Sequence, residues 1–168
     1  MQINVSQLLQ EPIGSSRRYQ VNETAVFDNG STHQLTGECQ LLRTQRSVLV
    51  KCQVDTDAEL TCSRCLTAFR QPLTINFEEE YLPTVDILTG APLDTPDEIN
   101  HFTIDKNHVL ELNEAIRQYA LLVMPMKPLC REDCSGLCQK CGKNLNEGPC
   151  DCPQQEIDSR WAKLTNLL

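Results

Sequence analysis

Six cysteines fall within twenty-three residues of this chain: Cys130, Cys134, Cys138, Cys141, Cys150 and Cys152. An upstream pair, Cys62-Ser-Arg-Cys65, repeats the close spacing. Eight thiols so arranged point to tetrahedral metal sites and favour zinc, because a soft cation with four ligands suits thiolates. A Cys-x-x-Cys turn lets two sulfurs reach one ion while backbone N–H groups face those sulfurs. A glycine after the second cysteine eases the positive-φ step of such a turn. Cys138-Gln-Lys-Cys141-Gly142 fits that pattern. Cys150 and Cys152 then supply two more ligands from i and i+2, because the intervening Asn144, Asn146, Gly148 and Pro149 let the chain loop back.

Cys62, Cys65, Cys130 and Cys134 remain. The preferred pairing joins them in a second site that clamps a β-hairpin to the cysteine-rich segment. The alternative is a single site that takes Cys130 or Cys134 together with Cys138 and Cys141. The cofactor is therefore one or two zinc ions, although cysteine spacing alone also admits iron–sulfur. A structural zinc contributes on the order of 10 kcal/mol, so this module should not be ordered without metal.

Compartment separates metal from disulfide. Ten cysteines in 168 residues lie below the ~8–10% typical of secreted disulfide scaffolds. The first residues, Met-Gln-Ile-Asn-Val-Ser, carry neither a basic region nor a long apolar run, so they do not read as a signal peptide. No stretch approaches the ~18 apolar residues of a membrane span. The expectation is a reducing cytoplasm, where such spacing favours metal. Cys39 and Cys52 are expected to be small buried hydrophobes rather than ligands.

Strand signals dominate the middle of the chain. Val48, Val50, Cys52, Val54, Thr56, Ala58 and Leu60 occupy one parity, against Lys51, Gln53, Asp55, Asp57 and Glu59 on the other. That is a strand with one buried and one wet face. Phe69, Leu73, Ile75, Phe77 and Tyr81 continue the pattern on a following strand, and Gly37, Cys39 and Leu41 suggest a preceding one. Cys62 to Cys65 then sits where a hairpin needs its turn. A redox role for that pair is disfavoured, since a low thiol pKa wants a helix N-terminus and strands flank this motif.

The remaining segments read as follows. A weak helix or turn is expected at 6–10, and a polar loop over 22–34 with Asn29-Gly30 as its turn. Residues 83–101 hold Pro83, Gly90, Pro92 and Pro96 with Asp86, Asp94, Asp97 and Glu98, an acidic loop. Leu112, Ala115, Ile116, Tyr119, Ala120 and Val123 form a helical stripe over 110–124 that Pro125 ends. The apolar run from Ala120 to Met124 implies burial on more than one side. Asp158 is a good N-cap for a last helix carrying Trp161, Leu164 and Leu168.

The net charge is −8. This argues against bulk binding to naked nucleic acid, whose affinity rests on phosphate neutralisation. A local basic patch remains open: Arg64, Arg70, Lys127, Arg131, Lys140 and Lys143 border the cysteine motifs and are candidate contacts to RNA or a partner. Catalysis finds no support. His33, His101 and His108 read as surface histidines. Glu78, Glu79 and Glu80 read as a solvated strand end. The glycines of 136–142 are misspaced for a phosphate loop, and Asn144 stands where Ser or Thr belongs. No nucleophile, base and orienting group converge, so the chain is not expected to be an enzyme.

Several motifs together resemble one family. They are Cys62-Ser-Arg-Cys65-Leu66, then Glu111-Leu112-Asn113-Glu114-Ala115-Ile116, then Met124-Pro125-Met126-Lys127-Pro128-Leu129-Cys130. Asp133-Cys134-Ser135-Gly136-Leu137-Cys138, Cys141-Gly142-Lys143-Asn144-Leu145-Asn146 and Cys150-Asp151-Cys152 follow. Asp158-Ser159-Arg160-Trp161 near the end also fits, with Ser159 where the family often has proline. The chain resembles the YceD-like family of large ribosomal RNA subunit accumulation proteins. The resemblance implies a cytoplasmic or plastid protein with no enzymatic activity that supports accumulation of large-subunit ribosomal RNA.

The expected fold is α+β: a coiled antiparallel, half-barrel-like sheet with a packing helix and a cysteine-rich zinc module. Residues 1–128 form the core with its acidic loop 83–101, and 129–168 the metal module with a terminal helix. The expected partner is precursor large-subunit ribosomal RNA or a basic large-subunit ribosomal protein. A thiol-based redox or metal-handling protein is the alternative function.

Overall fold

The structure, a computed structural model, describes residues 1–26, 32–94 and 101–152. The described residues divide into two compact units. The core unit holds Met1–Leu60 and Phe69–Met126; the cysteine unit holds Thr61–Ala68 and the described chain from Lys127 onward.

Among the described residues, seven strands and two α-helices follow in chain order: β1 (Gln2–Asn4), α1 (Ser6–Gln10), β2 (Ser16–Val26), β3 (Thr32–Arg43), β4 (Val48–Thr61), β5 (Ala68–Pro83), β6 (Phe102–Ile104), β7 (Val109–Glu111) and α2 (Asn113–Val123). They form one sheet in the order β1-β7-β6-β5-β4-β3-β2. β2 pairs with β3, and β3 with β4, antiparallel. β4 and β5 are neighbours joined by residues 62–67. Their outer faces carry cross-strand contacts, Lys51 to Glu78 (3.0 Å) and the Thr74 hydroxyl donating to Asp55 (2.6 Å).

The sheet is mixed rather than wholly antiparallel. β5 and β6 run parallel, with Tyr81 opposite Phe102. Parallel neighbours need a longer connection than a tight turn, and residues 84–101 separate these two strands in the chain. Strand β6 follows the expected acidic loop, in a stretch with no sequence expectation, and β7 overlaps the start of the helix expected over 110–124. At three residues each they are too short for alternation to register.

Residues 22–26 and 32–34 are strand, not the expected polar loop. β2 is a sheet edge, and a polar, charged sequence is what protects an edge from pairing with other chains. The Asn29-Gly30 turn, residues 95–100 and the expected helix around Trp161 lie outside the described residues.

The core unit curls around an aliphatic centre. Val48, Val50, Val54, Leu41 and Ile75 are fully buried, with Leu110, Leu112 and Ile116 packed in the same cluster. The sheet's curl shows in an ion pair between the Met1 amine and Glu23 on β2 (3.4 Å), which links the start of one edge to the other. Leu8 and Leu9 of α1 are buried in the cluster. Gly37 is required where β3 meets β4, because an added Cβ would lie 2.1 Å from the Gln53 carbonyl oxygen.

Helix α2 buries Ala115, Ile116 and Ala120 of the expected stripe, while Tyr119 is partly buried and Val123 is exposed. The burial on more than one side expected from Ala120 to Met124 is absent: Leu121 is 49% and Leu122 76% exposed. Among the histidines, His33 is buried rather than superficial, with Nδ1 2.6 Å from the Asp57 carbonyl. Cys39 and Cys52 are buried as expected, but as direct partners across β3 and β4 joined in a disulfide rather than as two separate thiols, against the expectation that metal and not disulfide uses the cysteines of this chain. No described helix is long and apolar enough to cross a membrane.

Candidate metal centres

The cysteine unit is built on two turns with the same backbone frame. In the first, the Cys62 N–H donates to the Thr67 carbonyl (3.0 Å) and the Leu66 N–H donates back to the Cys62 carbonyl (3.0 Å). In the second, the Cys138 N–H donates to Lys143 (2.8 Å) and the Gly142 N–H to Cys138 (2.9 Å). The residue after each second cysteine is left-handed, Leu66 at φ 59° and Gly142 at φ 73°. Glycine makes that conformation cheap at 142; at 66 a leucine accepts it.

Each turn gains two more sulfurs. Cys62, Cys65, Cys130 and Cys134 form one group, and Cys138, Cys141, Cys150 and Cys152 another, with the sulfurs of each group within 4.8 Å of one another. Cys62 and Cys134 sulfurs are 3.8 Å apart, Cys65 and Cys130 3.6 Å, and Cys138 and Cys150 3.4 Å. A tetrahedral ion with bonds of about 2.3 Å to sulfur sets its ligands about 3.8 Å apart. A disulfide would need about 2.05 Å. The residues present therefore fit a tetrathiolate ion in both places.

The two centres differ in exposure. Cys62, Cys65 and Cys134 of the first are buried, whereas Cys141 of the second is exposed and its other three are intermediate. Backbone amides set the charge. The Cys65 N–H is the main cause that draws the Cys62 thiol down to about 6, against the effect of burial. The N–H groups of Cys141 and Lys140 draw Cys138 down to about 6. Cys65 is lowered by the Thr67 hydroxyl and N–H. Burial, then the neighbouring sulfurs, push Cys130 up to about 12. Its hydrogen bond with Cys141, then burial, pushes Cys152 up to about 12. Each group thus readily ionises in part and resists full ionisation, because like charges this close disfavour one another. A cation resolves that conflict.

Side chains not singled out from the sequence knit the unit together. Asn146 sits in a one-turn 3-10 helix, Leu145–Glu147, between Cys141 and Cys150. Its Nδ2 donates to the Cys134 sulfur (3.3 Å), and its Oδ1 accepts from the Ser135 N–H (2.9 Å) and Arg131 (2.7 Å). From the sequence it is legible only as a loop-forming residue between Cys141 and Cys150 and as the end of the Cys141-to-Asn146 motif, not as a partner of Cys134.

The basic residues are largely engaged. Arg64 donates to the Cys134 carbonyl (2.9 Å), Arg131 also pairs with Asp133 (3.4 Å), and Lys143 donates to the Pro149 carbonyl (2.8 Å). Lys127 and Lys140 are exposed in the same unit, while Arg70 lies on β5 in the core unit.

A family model described as "Large ribosomal RNA subunit accumulation protein YceD" matches residues 50–168. The chain belongs to the YceD family. The match takes in all eight clustered cysteines of this YceD-family chain. An uncharacterized protein of Mycobacterium leprae is 30% identical over 121 residues, 72% of this chain and 53% of its own length. An uncharacterized protein of Mycobacterium tuberculosis is 29% identical over 146 residues, 87% of this chain and 67% of the relative. A protein of Arabidopsis thaliana named "Large ribosomal RNA subunit accumulation protein YCED homolog 1, chloroplastic" is 26% identical over 155 residues, 76% of this chain and 46% of that protein. The chain thus spans about half the length of some curated relatives it matches. No solved structure matches.

Proposed function

We propose that this chain is a non-enzymatic, cytoplasmic assembly factor that supports accumulation of large-subunit ribosomal RNA, with a cysteine unit held by two zinc ions. The observation that carries the reading is the family match over both cysteine groups, each with sulfurs spaced for one tetrahedral ion. The zinc ligands on this reading are Cys62, Cys65, Cys130 and Cys134 in one centre, and Cys138, Cys141, Cys150 and Cys152 in the other. The ions hold structure rather than perform chemistry, since four thiolates leave no open coordination position.

The charge favours a basic ribosomal protein over naked RNA as the direct partner. The chain carries −8 before any tetrathiolate adds to it, and several candidate RNA-contacting cations are spent on carbonyls and carboxylates within the cysteine unit. Binding a folded ribosomal protein would favour that protein's native state by mass action. The acidic segment 83–101 is the proposed contact.

Two experiments test this. Depletion of the protein from its host should lower large-subunit relative to small-subunit ribosomal RNA; an unchanged ratio rejects the role. Native gels of the purified chain with basic large-subunit proteins and with large-subunit RNA fragments decide the partner. A shift with RNA alone reverses the preference and returns Arg64, Arg70, Lys127, Arg131, Lys140 and Lys143 as contacts.

A further inference from the structure

We infer that the two cysteine centres form one coupled metal unit, with Asn146 as the residue that couples them. The inference rests on the proposed zinc reading and concerns how the two sites communicate.

The segment between Cys141 and Cys150 belongs, by its ends, to the second centre, yet its middle is bonded to the first. Asn146 Nδ2 donates to the Cys134 sulfur, and its Oδ1 accepts from the N–H of Ser135, the residue after Cys134. Asn144 adds to this hold. Its Oδ1 accepts from the Asn146 N–H (3.1 Å) and Nδ2 (2.7 Å), and its Nδ2 reaches Thr67 Oγ1 (3.5 Å). That same hydroxyl lies 3.4 Å from the Cys65 sulfur. The Leu145 N–H donates to the Gly136 carbonyl (2.9 Å), completing the seam.

A donor aimed at a ligand sulfur stabilises its charged form and orients it, and such partners change metal affinity by about 10–100-fold when removed. Asn146 can act this way only while its loop is closed. Ligation through Cys141 and Cys150 closes that loop, and opening it withdraws the donor. The second centre therefore supports the first. Cys141 is exposed while three sulfurs of the first centre are buried, so metal leaves the second centre first and release from the first follows. By linkage the support is mutual: filling the first centre raises the affinity of the second by the same factor.

The test is native mass spectrometry of the full zinc-loaded chain during titration with a chelator, with per-cysteine alkylation read in parallel. Wild type should pass from two ions to none with little one-ion species. Asn146→Ala, which keeps all eight thiols, should accumulate a one-ion species, and Cys62, Cys65, Cys130 and Cys134 should become reactive at up to about 3–10-fold lower chelator, the square root of a 10–100-fold coupling when both ions leave together. Asn146→Asp keeps the acceptor for Ser135 and loses the donor to Cys134, so it should behave like Asn146→Ala if the donor matters. Cys141→Ser should weaken the first centre in wild type and much less in the Asn146→Ala background. Independent loss of two ions in wild type, or an equal effect of Cys141→Ser with and without Asn146, overturns the coupling and leaves the zinc reading standing. A wild-type chain that binds no metal rejects the zinc reading itself.

Discussion

Replacing Cys134 by serine tests the metal argument most directly. Cys134 is buried, its sulfur is 3.8 Å from that of Cys62, and it receives the Asn146 amide. Apparent free energies of about 10–16 kcal/mol for a structural zinc, divided over four thiolates, assign about 2.5–4 kcal/mol to each ligand. At about 1.4 kcal/mol per tenfold, losing one ligand weakens the first centre by roughly 10²–10³-fold. The structural cost should fall on the cysteine unit alone. Among its described residues the only buried apolar side chains are Cys62, Cys65 and Cys134. A unit so small has little core to fall back on once metal is gone. The core unit keeps its own aliphatic cluster. Competition of the zinc-loaded chain with a chromogenic chelator reads the affinity, and hydrogen exchange reads which amides lose protection. Cys134→Ser should lose protection at the Cys62 and Cys138 turns while β3 and β4 stay protected. Ser135→Ala, which keeps the backbone N–H used by Asn146, is the control. If Cys134→Ser retains two ions at wild-type affinity, the reasoning from sulfur spacing is wrong.

Three further outcomes are expected. Gly37→Ala forces a Cβ to within 2.1 Å of the Gln53 carbonyl oxygen and 2.9 Å of the Val54 Cα; backbone atoms in a paired strand yield poorly, so at least about 1–3 kcal/mol of stability should be lost, and an unchanged urea midpoint would refute the close approach. Glu114 is held at about 2 by the Arg117 guanidinium and Gln118, below its usual value of about 4.3. Its contribution is therefore full above that value and vanishes as pH falls through about 2. Because the side chain is half exposed, Glu114→Gln should cost less than about 1 kcal/mol at pH 7 and nothing in strong acid; a cost independent of pH in denaturation curves would contradict the ion pair. Cys39 and Cys52 are 13 residues apart in sequence, and closing a loop of about fifteen residues is worth roughly 3 kcal/mol. Reductant should lower wild-type stability to that of the Cys39→Ala/Cys52→Ala double variant, and an unaffected wild type would show that the disulfide contributes nothing.

The sequence by itself carried the chemistry and the local periodicities. Even positions from Val48 to Ala58 are buried because a strand alternates faces. The α2 stripe is buried because Leu112, Ala115, Ile116 and Ala120 recur at helical spacing. Cys-x-x-Cys followed by Gly142 announced its own turn. Tertiary structure decided what depends on distant partners. β2 is polar because it is an edge, and no residue within β2 reports its neighbours. β6 runs parallel to β5, with Tyr81 opposite Phe102, a pairing that no local pattern announces. His33 is buried and Cys39 meets Cys52 through the register of neighbouring strands. Leu121 and Leu122 are as apolar as Ile116, yet the fold leaves them outside. The role of Asn146 emerges only when the loop that carries it reaches Cys134. Residue type and spacing state what a segment is able to do, while burial and partnership are properties of the assembled chain and arise from contacts that no local window contains.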